Sequence, residues 1–129
     1  MRDITLSIIN KLLADTYVVA KVGTRVHRAE IPTDEPTLPA IVVSKIDDRR
    51  PNDTSEPYGV SRIQTTIFAT SDGLADDISG LVADSLNQVV NTYLSGVIIV
   101  NIEDAGTFSD NNPDAGIWMY HRDFMVNYR

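Results

Sequence analysis

The sequence contains no cysteine, so disulfides and thiolate-bound metal contribute nothing to its fold, and no thiol nucleophile exists. Lysine is scarce: Lys11, Lys21 and Lys45 are the only three, and arginine supplies the other eight cations. Glutamate is scarce too, four against fourteen aspartates. Long apolar runs are missing. The longest, residues 40–43 and 97–100, are strand-sized and far short of the roughly 18–20 residues that a membrane span requires. The chain opens on Arg2 and Asp3 and moves straight into an amphipathic pattern, without the apolar stretch and small-residue cleavage site of a secretory signal. The expectation is a soluble intracellular product with no membrane partner.

What is present is enough for one domain, residues 1–129, with 43% hydrophobic residues to build a core. The formal net charge of −7 repels polyanions and argues against general nucleic-acid binding. An acidic, lysine-poor surface suits solubility at high salt, and a GC-rich genome gives the same skew, so composition leaves both origins open.

Hydrophobic spacing supplies the elements. Residues 3–14 predict a helix, with Ile4, Ile8, Ile9, Leu12 and Leu13 on one face and Asp3 as N-cap. Residues 17–22 either extend it or form a turn before Gly23. Strands are expected at 24–31 and 40–46, joined by a proline-rich link at 32–39. Residues 60–70 alternate cleanly, with Ile63, Thr65, Ile67 and Ala69 on one side. A long helix follows, capped by Ser71 or Asp72. Its stripe of Leu74, Ile78, Leu81, Val82, Leu86, Val89, Val90 and Tyr93 predicts that it lasts to about Leu94. Strand 97–103, a turn-rich segment at 105–116 and strand 117–128 complete the chain. In the last strand Trp118, Tyr120, Phe124, Val126 and Tyr128 share a face interrupted by Arg122. The order α-β-β-β-α-β-β predicts an α+β fold: a mostly antiparallel sheet of about five strands with two main helices packed on one face.

Catalytic chemistry finds little support. His27 and His121 both fall inside strands, where a partly buried sheet residue is the simpler reading. No serine sits in a Gly-x-Ser-x-Gly elbow, and there is no phosphate-binding glycine loop. The pairs Asp47-Asp48, Asp76-Asp77 and Glu103-Asp104 are sequence neighbours that point different ways, so adjacency makes no acid/base dyad. Asp110, Asn112 and Asp114 have the one-three-five spacing of a calcium loop. The sixth position is Ala115 in place of glycine, and the twelfth is His121 in place of glutamate. A turn explains the same residues, and the expectation is no metal, no cofactor and no enzyme. Arg49-Arg50, the only basic doublet, is hemmed by Asp47, Asp48, Asp53 and Glu56. The aromatic face of the last strand is better used against Leu81, Leu86 and Val89 than as a base-stacking platform.

Order and spacing carry one resemblance. The pieces are Val22-Gly23-Thr24-Arg25-Val26, a link ending Leu38-Pro39-Ala40, the strand ending Ile67-Phe68-Ala69-Thr70, and the helix with Leu74 and Leu86 that follows at once. The layout resembles the tail-completion, or tail-terminator, proteins of tailed viruses and prophages. That resemblance implies a structural virion protein of the tail and neck, present in the host cytoplasm during assembly. It would be a homo-oligomer, a hexameric ring at the head-proximal end of the tail. The implied partners are the major tail tube protein, whose polymerisation the ring stops, and a head-side neck or connector protein. DNA would pass through the lumen without specific binding, which suits an acidic chain. A ring of identical subunits joins one face to a different face of the next copy. Polar segments that bury nothing are the expected contact surfaces. They supply Asp47, Asp48, Arg49, Arg50, Asn52, Asp53, Glu56 and Tyr58 in the first, and Asp110, Asn112 and Asp114 in the second. A neck, connector or minor tail subunit, or a small ligand-binding regulatory α+β module, are the alternatives.

Overall fold

The computed structural model describes residues 3–32, 37–49 and 59–129. The fold is α+β. Helix α1 spans Ile4–Leu13 and α2 Thr16–Val22; strands β1 (Val26–Arg28), β2 (Ala40–Arg49) and β3 (Gly59–Ala69) follow. Then come α3 (Asp72–Asn87), β4 (Val90–Leu94), β5 (Val97–Ser109), a 3-10 turn at Pro113–Ala115, and β6 (Trp118–Tyr128). The six strands form one sheet in the order β1-β2-β3-β6-β5-β4. Only β1 and β2 run parallel; the other neighbours are antiparallel.

Local chemistry sets the helix ends. Asp3 accepts from Leu6 N–H, Asp15 from Tyr17 and Val18 N–H, and Ser71 from Leu74 N–H. Residues 17–22 therefore form a helix of their own, because Asp15 caps a fresh start. Gly23, at φ 60°, ends it. The Arg25 side chain then donates to Pro39 O at 2.8 Å, which fixes the far end of the proline-rich link against the start of β1.

The core lies between the helices and one face of the sheet. Ile8, Leu12, Ile41, Ile63, Ile67, Ile78, Leu86, Ile99, Phe124 and Tyr128 are almost wholly enclosed. Burying each such side chain stabilises the fold by about 1.5–3 kcal/mol. The predicted alternation in β3 holds: Ile63, Thr65, Ile67 and Ala69 are all at 0% exposure. Leu86, Val89 and Phe124 share the core cluster, with Leu81, Trp118 and Tyr120 packed against it. Arg122 interrupts the aromatic face because it reaches α3 and donates to Ser79 O at 2.9 Å.

Several boundaries differ from the sequence reading. Strand 24–31 shrinks to three residues, since Gly23 and Ala29 both take positive φ. The long helix stops at Asn87, not near Leu94, and the remaining stripe residues become strand β4. Val90, Asn91, Thr92 and Tyr93 are poor helix formers, and Ser95 and Gly96 at φ 49° and 86° make a tight hairpin back into β5. Val89 stays buried, but outside the helix. Strand β5 runs to Ser109, so residues 105–109 are ladder, not turn. Gly106 at φ 115° absorbs a bulge, and Thr107 and Phe108 resume pairing with Arg122 and His121. The first polar segment likewise begins inside β2, whose Asp47, Asp48 and Arg49 pair with Arg62, Ser61 and Val60.

Candidate functional site

The two expected contact segments sit at opposite ends of the sheet. Asp47, Asp48 and Arg49 lie beside Gly59 and Tyr128, where β6 finishes. Asp110, Asn112 and Asp114 lie beyond Trp118, where β6 begins. The length of β6, on the order of 30 Å, separates them, so they do not form one patch. Arg50, Asn52, Asp53, Glu56 and Tyr58 lie outside the described residues.

Each end has its own local structure. Asp47 accepts from Arg49 Nε at 2.8 Å and from Asp48 N–H at 2.9 Å. Asp48 accepts from Ser61 Oγ and from Tyr128 Oη, both at 2.7 Å, so its carboxylate ties β2 to β3 and to the end of β6. Sequence reading assigned Asp48 to a docking loop; it lies on β2, and these two of its partners are within the sheet. At the other end, Asn111 Oδ1 accepts from Met119 N–H, and Asn112 exchanges backbone hydrogen bonds with Ile117. Pro113 starts the 3-10 turn and Gly116, at φ 68°, closes it. The side chains of this loop shape a hairpin tip, and residues 103–116 are exposed throughout.

The sheet face turned away from the helices carries most of the remaining polar chemistry. One cross-strand row runs His27, Val42, Thr66, His121 and Phe108 from β1 to β5. His121 Nδ1 lies 2.9 Å from Thr66 Oγ1, and its ring stacks on Phe108 with centroids 4.4 Å apart. A depression of about 440 Å³ crosses this row, with Val42, Gln64, Thr66, Phe68 and His121 in its floor. Asp123, buried on the same face, accepts from Arg62 and from Gln64 Nε2. Neither histidine has a carboxylate among these contacts, and the hydroxyl that faces His121 is that of Thr66, held in the sheet row. Among the described residues no three His, Asp or Glu side chains converge as metal ligands.

Sequence reasoning missed the apolar surface. Val90 is 60% exposed, Tyr93 71% and Tyr17 74%. Val90 and Tyr93 counted there as core residues of a longer helix. In the structure they stand on β4, the outermost strand, which bears no charge and no proline. Beside the start of β4, a depression of about 530 Å³ is lined by Asp15, Tyr17, Leu81, Asp84, Asn87 and Gln88.

A capped helix layer over one face of a largely antiparallel six-stranded sheet with exposed edges defines a small α+β fold. No protein-family profile matches the sequence, and no curated protein matches it. Among solved structures, the fold is similar to that of a chain from the virion of a native gene transfer agent particle. The match has 17% identity and a TM-score of 0.79, and it covers 94% of this chain and 90% of that one. At that identity the likeness is one of fold.

Proposed function

We propose that the chain is a structural virion protein, a tail-terminator or tail-completion subunit. It assembles with copies of itself into a ring, hexameric as the resemblance implies, at the head-proximal end of the tail. The ring stops polymerisation of the tube protein and offers a docking face to the neck. The observation that carries this reading is the near end-to-end fold likeness to a virion chain. The resemblance of the segments at Val22–Val26, Leu38-Pro39-Ala40 and Ile67–Thr70 to tail-terminator proteins supports the tail end of the particle as the place. Exposed sheet edges and long polar strand ends suit assembly, and the net charge of −7 suits a channel that passes DNA without gripping it.

Loss of the gene tests the role. A terminator's loss gives tails of uncontrolled, excess length, and the purified chain binds the tube protein. Tails of normal length beside unattached heads would overturn the terminator role in favour of a neck connector.

A further inference from the structure

The sheet's two edges differ in a way that bears on how copies meet. We infer that subunits join head to tail through these edges: β4 of one copy against the β1–β2 edge of the next. The inference deepens the ring reading and rests on it for its biological setting.

Three observations converge. The first is that among the described residues β4 lacks the usual edge protection, apart from Ser7 Oγ of α1, which donates to Leu94 O at its end. Edge strands of monomers are usually blunted by lysine, proline or a covering segment. Here Val-Asn-Thr-Tyr-Leu holds no charge, and Val90 and Tyr93 are 60% and 71% exposed. Such a strand in water is a pairing site.

The second is a step in each edge. β1 covers β2 only at Ile41–Val43, and β2 runs on through residues 44–49, with Ile46 50% exposed. At the other edge β4 covers β5 only from Val97 to Asn101, and β5 runs on through residues 102–109. The short strands therefore sit toward opposite ends of the sheet. A neighbour shifted along the strand direction places its β4 in the step below β1, and receives β1 in the step beyond its own β4.

The third is charge. No lysine or arginine occurs between Arg62 and Arg122, while eight acids do. That span is mainly α3, β4, β5 and the hairpin tip, so the β4–β5 side is rich in acids; its cations come from outside the span, with Arg122 paired to Asp104 and Arg129 laddered to Ile98. Asp84 lies one turn before the end of α3, close to Asp15 in the depression beside β4, and Glu103 and Asp104 lie just past the stretch of β5 that β4 covers. The other edge is charge-mixed: Arg25 and Arg28 around β1 and Lys45 and Arg49 on β2 stand among Asp3, Glu30, Asp47 and Asp48, with Arg28 paired to Asp3 and Arg49 to Asp47. Joining two β4 edges by a twofold would set acid on acid. Joining β4 to the β1–β2 edge sets those acids against a charge-balanced edge instead, so the heterologous contact avoids the repulsion. The second occupant is thus a copy of this chain, and the contact is heterologous, the kind that closes rings.

A mixing experiment tests this. Val90→Lys/Tyr93→Lys blocks the β4 edge, and Lys45→Glu/Ile46→Glu blocks the β2 edge; all four side chains are exposed. Circular dichroism and melting confirm the fold. If either double variant melts below the parent, Tyr93→Lys and Ile46→Glu alone carry the test. The parent chain is expected to self-associate with concentration in sedimentation velocity, and each variant alone to lose roughly tenfold or more in affinity. An equimolar mixture restores association and stops at a 1:1 dimer, because each variant keeps the edge that the other lacks. A parent that stays monomeric up to about 1 mM overturns the proposal. So does a mixture of folded variants that remains monomeric, a β4-edge variant that assembles like the parent, or a β4 edge that only the tube protein occupies. Tail length reads the functional proposal separately. Normal tails with edge-to-edge association sink the terminator role alone; overlong tails with monomeric mixtures sink only this contact.

Discussion

Asp3 has two tasks on one carboxylate: its Oδ1 caps α1 at Leu6 N–H, and its Oδ2 pairs with Arg28 of β1 at 2.8 Å. The Arg28 hydrogen bond, followed by that from Leu6 N–H, holds the carboxyl below its ordinary value of 3.8. A folded value below the unfolded one means the contribution is complete above about pH 3.8 and is lost as pH falls through the lower folded value. Asp3→Ala should cost about 1 kcal/mol at neutral pH, mostly the cap. Asp3→Asn should stay within about 0.5 kcal/mol of the parent, since asparagine caps and the partly exposed ion pair is weak. Thermal melts across the acid range check both, with the gap between parent and Asp3→Ala closing at low pH. Asp123 is the opposite case, a carboxylate only 6% exposed whose partners are Arg62 and Gln64. Arg62→Met leaves that charge with Gln64 alone and should cost about 2–3 kcal/mol in urea melts, while adding Asp123→Leu should recover much of it. The cap at Asp3 was legible from its place before an apolar period. The Arg62–Asp123 pair was not, because residues 61 positions apart meet only through the β3–β6 register.

Elements were legible wherever the spacing of apolar residues had one meaning. α1, β3 and the first four turns of α3 are of that kind: each has a cap or a strict alternation, and each buries the stripe that the sequence shows. β4 was illegible because Val89, Val90 and Tyr93 continue the period of α3 by coincidence; what ends the helix is a hairpin partner, β5, nine residues further on. The turn between them makes a sharp test. Ser95 sits at φ 49°, where a β-branched side chain is strained, and its hydroxyl oxygen accepts from Asn10 Nδ2 of α1. Ser95→Val should lower stability by about 1–2 kcal/mol, through backbone strain and the lost hydrogen bond. Ser95→Asn, which tolerates this conformation, should melt within a few degrees of the parent. A Ser95→Val protein as stable as the parent would mean that the Ser95-Gly96 turn does not set the β4–β5 register. Polarity marked residues 47–49 as surface, but only the fold shows Asp48 accepting from Ser61 and Tyr128 across three strands.

For the molecule as a whole, position in the sheet sets an order of local stability. β3 is hydrogen-bonded on both sides along its length, by β2 and β6, and it lies under the helix layer. β6 is paired with both β3 and β5. Opening either one breaks two ladders and exposes the core, so their amides should exchange with solvent only through near-global unfolding. β4 has a ladder on one side, five residues and two exposed apolar side chains; residues 103–116 stand outside the core altogether. Their amides should exchange orders of magnitude faster in the dilute monomer. Assembly through the edges then predicts where protection changes. Raising the concentration until the chain self-associates should slow exchange in β4 and in the β2 stretch at 44–49, and leave β3 as it was. If protection appeared instead only at the hairpin tip, 110–116, the polar loops and not the sheet edges would be the contact, and the head-to-tail sheet would be wrong.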